Sequence, residues 1–126
     1  MCSSDLFDRT GATLFAGGAE PKTGGFVQAT PVVVAFDWVT GARTASWKGA
    51  GDNEGYVHDL RVHPAGYAMG VTSGQPGQGK VFFWKPGDAQ PFFAAAKPNC
   101  HSLDLSPDGA TLAVSATNAK IGRAHV

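Results

Sequence analysis

Four groupings in the sequence have the residue types and spacing to do chemistry. Gly74, Gly79 and Lys80 in "SGQPGQGKVFFW" (73–84) fit G-x-x-x-x-G-K, the opening of a phosphate-binding loop. In such a loop, backbone N–H groups cradle phosphates and the lysine reaches the outer ones. His58 and His101 are imidazoles that recur at a fixed interval, and imidazoles bind metals or anions. Cys100 stands beside His101, the residue types of a thiolate nucleophile and its base. Asp52, Asn53 and Glu54 in "GAGDNEGY" are oxygen ligands of the kind calcium takes.

The surrounding residues weaken most of these. A phosphate loop needs Ser or Thr after its lysine and a helix starting there, but Val81 follows and the chain runs on as "VFFWK". Pro76 also removes a donor from the cradle. Apolar runs on both sides of a Gly/Pro-rich stretch predict a hairpin turn over 74–80. Neighbouring strand residues point to opposite faces, so Cys100 and His101 do not form a nucleophile–base pair. The acidic cluster lacks the spacing of a calcium loop and reads as an exposed turn. Asp104 reads as an outward strand residue and Asp108 as a turn residue. His63 also sits at a turn and is expected to be solvated. Neither G-x-S-x-G nor H-E-x-x-H occurs.

The elements that would position the two histidines come from a repeat. "HDLRVHPAGYAMGVTS" (58–73) aligns with "HSLDLSPDGATLAVSA" (101–116) at a constant offset, pairing His58 with His101, Leu60 with Leu103, Gly66 with Gly109 and Val71 with Val114. Met69 aligns with Leu112 in the same way. "DRTGATLFAGG" (8–18) is a partial third copy. Between the copies, "VVVAFDWVTGA" and "KVFFWKPGDA" are apolar, aromatic runs that end in glycine-containing turns. Each unit reads as four short strands: about 57–62 and 100–105; then 12–17, 67–72 and 111–116; then 31–38 and 80–85; then 42–47 and 89–96. No long segment has helical periodicity. Four antiparallel strands at a period near forty residues predict a β-propeller blade. The chain is read as the second to fourth strands of one blade, all four of the next and the first two of a third. The connection over 18–31, rich in Gly, Pro and Thr, is expected to be a protruding loop.

The repeats resemble those of the WD40 family. "LDLSPDGATLAVS" and "VVVAFDWVTG" carry the resemblance, with Phe36-Asp37 in the place of the Trp-Asp pair and Phe82-Phe83 there in the next unit. The Gly-His pair common in such repeats is absent, so the family's buried His–Ser/Thr–Asp–Trp network is not reproduced. The resemblance implies an all-β, incomplete propeller of about two to three four-stranded antiparallel blades over residues 7–120. It implies a non-catalytic scaffold that binds a protein partner. The alternative is part of a propeller enzyme, lactonase-like or dehydrogenase-like, with its site mostly in other blades. His58 and His101 begin corresponding innermost strands and are the candidates for the rim of the central channel. No catalytic, cofactor-binding or metal-binding residue is assigned, and no cofactor is implied.

Composition narrows the partners. Ten basic and ten acidic residues among 126 give a formal net charge of +0, which makes no electrostatic case for nucleic acid. No apolar run reaches the length of a membrane span. Localisation is left unassigned. Trp38, Trp47, Trp84, Phe82, Phe83, Phe92 and Phe93 are expected to pack between blades. The end segments "MCSSDL" (1–6) and "IGRAHV" (121–126) resemble translations, in opposite orientations, of a common short-read sequencing adapter. Both are expected to be non-native ends that contribute little to the core. Without them Cys100 is the only cysteine, and no internal disulfide is possible. The outer faces are expected to expose apolar side chains of "VVVAFDW" and "TLAVSA".

Overall fold

The structure is a computed structural model that describes residues 4–7, 11–22, 25–49, 55–73, 79–116 and 122–125. Every regular element in it is a strand. Sheet I runs β1 (Ser4–Phe7), β2 (Thr13–Lys22), β3 (Gly25–Asp37) and β4 (Arg43–Lys48). Sheet II runs β5 (Tyr56–Val62), β6 (Ala68–Ser73), β7 (Lys80–Trp84) and β8 (Phe93–Ala96). Sheet III holds β9 (Cys100–Leu105), β10 (Thr111–Ala116) and β11 (Gly122–His125), with β10 in the middle. All pairings are antiparallel, as hairpins with short turns require. The sheets stack face to face, with β5 packed between β1 and β9.

Residues 74–78 lie outside the described residues, but the strands on either side settle the phosphate-loop question. Lys80 opens β7 and pairs with Thr72 of β6, so a strand stands where the loop would need a helix. The Lys80 amide donates to Thr72 Oγ1 at 3.2 Å. The acidic cluster Asp52–Glu54 lies outside the described residues.

Two expectations about strands are corrected. The connection over 18–31 is not a loop. β2 and β3 continue as one long hairpin, with Glu20 opposite Thr30 and Lys22 opposite Gly25. The ladder continues because "GFVQAT" is rich in residues that fit extended backbone. In addition, β1 completes sheet I as a first strand, and β11 adds a third strand to sheet III. β1 pairs with 14–17 of β2 and β11 with 111–114 of β10, so the backbone groups along those stretches find partners.

Two apolar cores hold the stack. Phe15, Val33, Ala35 and Trp47 of sheet I meet Val57, Leu60, Ala68, Phe82 and Trp84 of sheet II. Met69, Val71, Val81 and Phe83, on the other face of sheet II, meet Cys100, Leu103, Leu112 and Val114 of sheet III. The alignment of Met69 with Leu112 therefore fails by one residue. Val62 is paired with Ala68 but Leu105 with Leu112, because the turn in sheet III is one residue longer. A slip of one residue in a strand exchanges its two faces. Met69 and Val71 thus face the following sheet, and Leu112 and Val114 face the preceding one.

The outer faces also differ from expectation. In "TLAVSA", Leu112 and Val114 are buried against sheet II, while the other face of sheet III carries Ser102, Asp104, Ala113 and Ser115. The hydroxyls of Ser102 and Ser115 are 2.6 Å apart. In "VVVAFDW" only Trp38 is largely exposed; Val34 is buried and Val32 and Phe36 are half-buried.

Candidate functional site

Two groups of side chains stand out, one on the inner strands and one on the turns. His58 and His101 belong to the first. Each is the inserted residue of a β-bulge, which the register of the ladder skips. Val57 pairs with Thr72 and Asp59 with Val71, which leaves His58 over; Ser102 pairs with Ser115 and Cys100 with Ala116, which leaves His101 over. A bulge bends the strand and re-aims one side chain. Here the repeat-equivalent bulges bring two imidazoles from neighbouring sheets together, with ring centroids 5.4 Å apart and planes at 89°. The Tyr56 ring lies 4.2 Å from His58 on its own strand. Burial, and secondarily the neighbouring His101, lowers the pKa of His58 below the ordinary histidine value.

Beside them, Asp59 ties the two inner strands together. Its Oδ2 accepts the backbone N–H of Leu103 in sheet III at 3.0 Å. Its Oδ1 accepts the Arg61 guanidinium at 2.7 Å and the Leu60 amide at 2.9 Å. Sequence reasoning missed this residue because the repeat carries no signal for it: Ser102 stands in the equivalent place. Cys100 is fully buried and donates its thiol to Thr72 O at 3.1 Å, while His101 is exposed. Burial raises the Cys100 pKa above its ordinary value, the opposite of what a nucleophile needs.

The second group lies on the turns that join first to second and third to fourth strands. In an antiparallel meander these share one end of the sheets. Contrary to expectation, His63 is not a solvated turn residue. It is half-buried, and its Nδ1 accepts the Ala65 amide at 3.0 Å. That leaves Nε2 as the N–H that donates to Gly109 O of sheet III, at 2.9 Å. The ring stacks on Tyr67 at 4.4 Å and 8°. Tyr67 in turn meets Phe92 edge-on at 4.9 Å, and burial raises its phenol pKa. Ala65, Tyr67, Lys85, Asp88 and Phe92 line an open depression of about 290 Å³.

Three aromatic residues read as packing residues are therefore exposed. Trp38 is 57%, Phe92 52% and Phe93 43% accessible, whereas Trp47, Trp84, Phe82 and Phe83 are buried between sheets as expected. Trp38 and Val39 are held out by their turn: Asp37 Oδ1 accepts the Val39 amide at 2.9 Å, and Asp37 N–H donates to Ala42 O at 2.8 Å. Among the described residues no group of three or more His, Cys, Asp or Glu side chains converges. No helix among them is long and apolar enough to cross a membrane.

Comparison with solved structures places this architecture. The chain superposes on the Cps50 (Swd1) β-propeller domain of Myceliophteria thermophila with a TM-score of 0.64 at 17% identity. The match covers 99% of this chain and 39% of that one. The Dos1 propeller matches with a TM-score of 0.61 at 11% identity, over 90% of this chain and 27% of its own. No family profile and no curated protein sequence matches. The chain thus has the fold of an incomplete β-propeller, its three sheets are blades, and it spans well under half the length of the propellers it matches.

Proposed function

We propose that these are divergent WD40-type blades of a non-catalytic scaffold, and that a protein partner docks on the end bearing Trp38, Val39, Tyr67 and Phe92. The observation that carries this reading is the rigid exposure of Trp38. A tryptophan 57% open to solvent on a turn pinned by Asp37 gives up little conformational freedom on binding. Aromatic anchors of this kind dominate protein–protein recognition energy, and Tyr67 and Phe92 line a depression on turns of the neighbouring sheet. Lys85 and Asp88 at the depression's margin supply polar contacts of both signs.

The reading is tested by selecting peptides from a displayed library on the folded chain. Selected peptides are expected to lose at least about tenfold in affinity, roughly 1.4 kcal/mol, on Trp38→Ser or Phe92→Ser. They are expected to bind unchanged to Thr111→Ser, on sheet III. Peptides indifferent to both aromatic substitutions would remove this end as the docking surface.

A further inference from the structure

We propose that His58 and His101 chelate a late first-row transition-metal dication between two adjacent inner strands. The argument begins with spacing. A tetrahedral zinc ion holds imidazole nitrogens at about 2.0–2.1 Å, and a ring centroid lies about 1.1 Å further on, so two such rings have centroids about 5.2 Å apart. The His58 and His101 centroids are 5.4 Å apart. The rings already stand at the separation that sharing one ion would set, and perpendicular planes are compatible with it.

The placement is built by the backbone. Each histidine is the bulged residue of its strand, so the same local device sets both rings side by side between blades. The Asp59 carboxylate, bonded to the Leu103 amide, fixes the register of the two strands on which the rings sit. Tyr56 packs against the His58 ring and restricts it. Imidazole nitrogen suits zinc, copper and nickel rather than calcium or magnesium. No third imidazole, carboxylate or thiol among the described residues joins the pair, so water completes the coordination shell.

The test uses the full chain with Cys2→Ser and His125→Gln, which removes the other ligand types at the ends. Substoichiometric Cu²⁺ is added and the imidazole resonances are followed by NMR. Paramagnetic broadening is expected at His58 and His101 together, before His63. Zinc titrated by calorimetry is expected to bind once per chain, and at least about tenfold more weakly to His58→Gln or His101→Gln. His63 broadening first, zinc binding unchanged by either substitution, or no binding by about 1 mM zinc, near the weak end of specific association, would each overturn the proposal. The NMR arm needs no substitution at the site, so a variant that fails to fold does not leave the question open.

Discussion

Gly66 and Gly109 occupy the same place in the repeat, and replacing each by alanine separates backbone strain from contact between blades. Both have positive φ, +97° and +76°. An alanine there costs about 1–2 kcal/mol from the clash of its Cβ with the backbone. A Cβ on Gly66 would meet nothing within 4 Å. A Cβ on Gly109 would lie 2.8 Å from His63 Nε2 and 3.0 Å from Pro64 Cδ. It must push His63 away from the Gly109 carbonyl that the ring now donates to. That removes a hydrogen bond worth about 0.5–1.5 kcal/mol. Gly109→Ala is therefore expected to cost about 1 kcal/mol more than Gly66→Ala. Urea unfolding followed by tryptophan fluorescence resolves this, because a slope of about 1–3 kcal/mol per molar turns the difference into a midpoint shift of roughly 0.5 M. In a His63→Ala background the excess should fall, since the ring is no longer there to be displaced. The pair should show a coupling of about 1 kcal/mol in a double-mutant cycle. Equal costs for the two glycines, or an excess that survives His63→Ala in full, would refute the interblade latch.

Other outcomes follow from the same geometry. Asp59→Ala should cost about 1.5–3 kcal/mol, as for hydrogen bonds to a charged group, and hydrogen exchange at the Leu103 amide should quicken; unchanged exchange would mean that the carboxylate does not join the strands. In a Cys2→Ser background, Cys100 should resist alkylation at pH 8 and react only as the chain unfolds, and rapid labelling of the folded chain would contradict its burial. Hydrogen bonds from the Ser106 hydroxyl and the Ala110 amide hold the Asp108 pKa below its ordinary value. The folded-state value is depressed, so this contribution to stability is present above the unfolded-state pKa and lost as pH falls through the folded one. Carbon-detected NMR titration should show the Asp108 value rise in Ser106→Ala, and no movement would discount the hydroxyl.

The repeat made most of the architecture legible. A period set by His58/His101, Leu60/Leu103 and Gly66/Gly109 located nine of the eleven strands, because each strand's apolar side chains must recur when each blade packs on the last. Features that depend on one residue more or less were not legible. The turn before Leu112 is one residue longer than the turn before Ala68, and only pairing distinguishes a face shift from a conserved core pair. The bulges at His58 and His101 are invisible for the same reason: the sequence gives the residues in order but not which one is skipped by the partner strand. Asp59 and His63 act across the gap between blades, and neither has a repeat counterpart of its own type, since Ser102 and Ser106 stand in their places. The exposed aromatics were misread because composition says that Trp38 and Phe92 are large and apolar, while their placement on turns decides whether anything covers them.

That placement also changes where the isolated chain should stick to itself. The face of sheet II that buries Met69, Val71, Val81 and Phe83 continues outward to Phe93, paired with Phe83 across the sheet and in ring contact at 4.7 Å. Phe93 is 43% accessible, and every residue of β8 is exposed. This strand is also the free edge of its sheet, and "FAAA" contains neither charge nor proline to discourage pairing with another chain. An apolar face that adjoins an unprotected edge presents both interactions that drive strand-to-strand association. The outer face of sheet III, with Ser102, Asp104 and Ser115, is polar. Sedimentation velocity should therefore show concentration-dependent association of the wild-type chain. Phe93→Lys and Ala95→Lys, which place charge on that face, should suppress it, whereas Ala113→Lys on sheet III should not. A chain that stays monomeric to about 100 μM, within the range where exposed edges aggregate, would show that β8 is not adhesive. Association that ignores the β8 substitutions but yields to Ala113→Lys would move the sticky surface to sheet III.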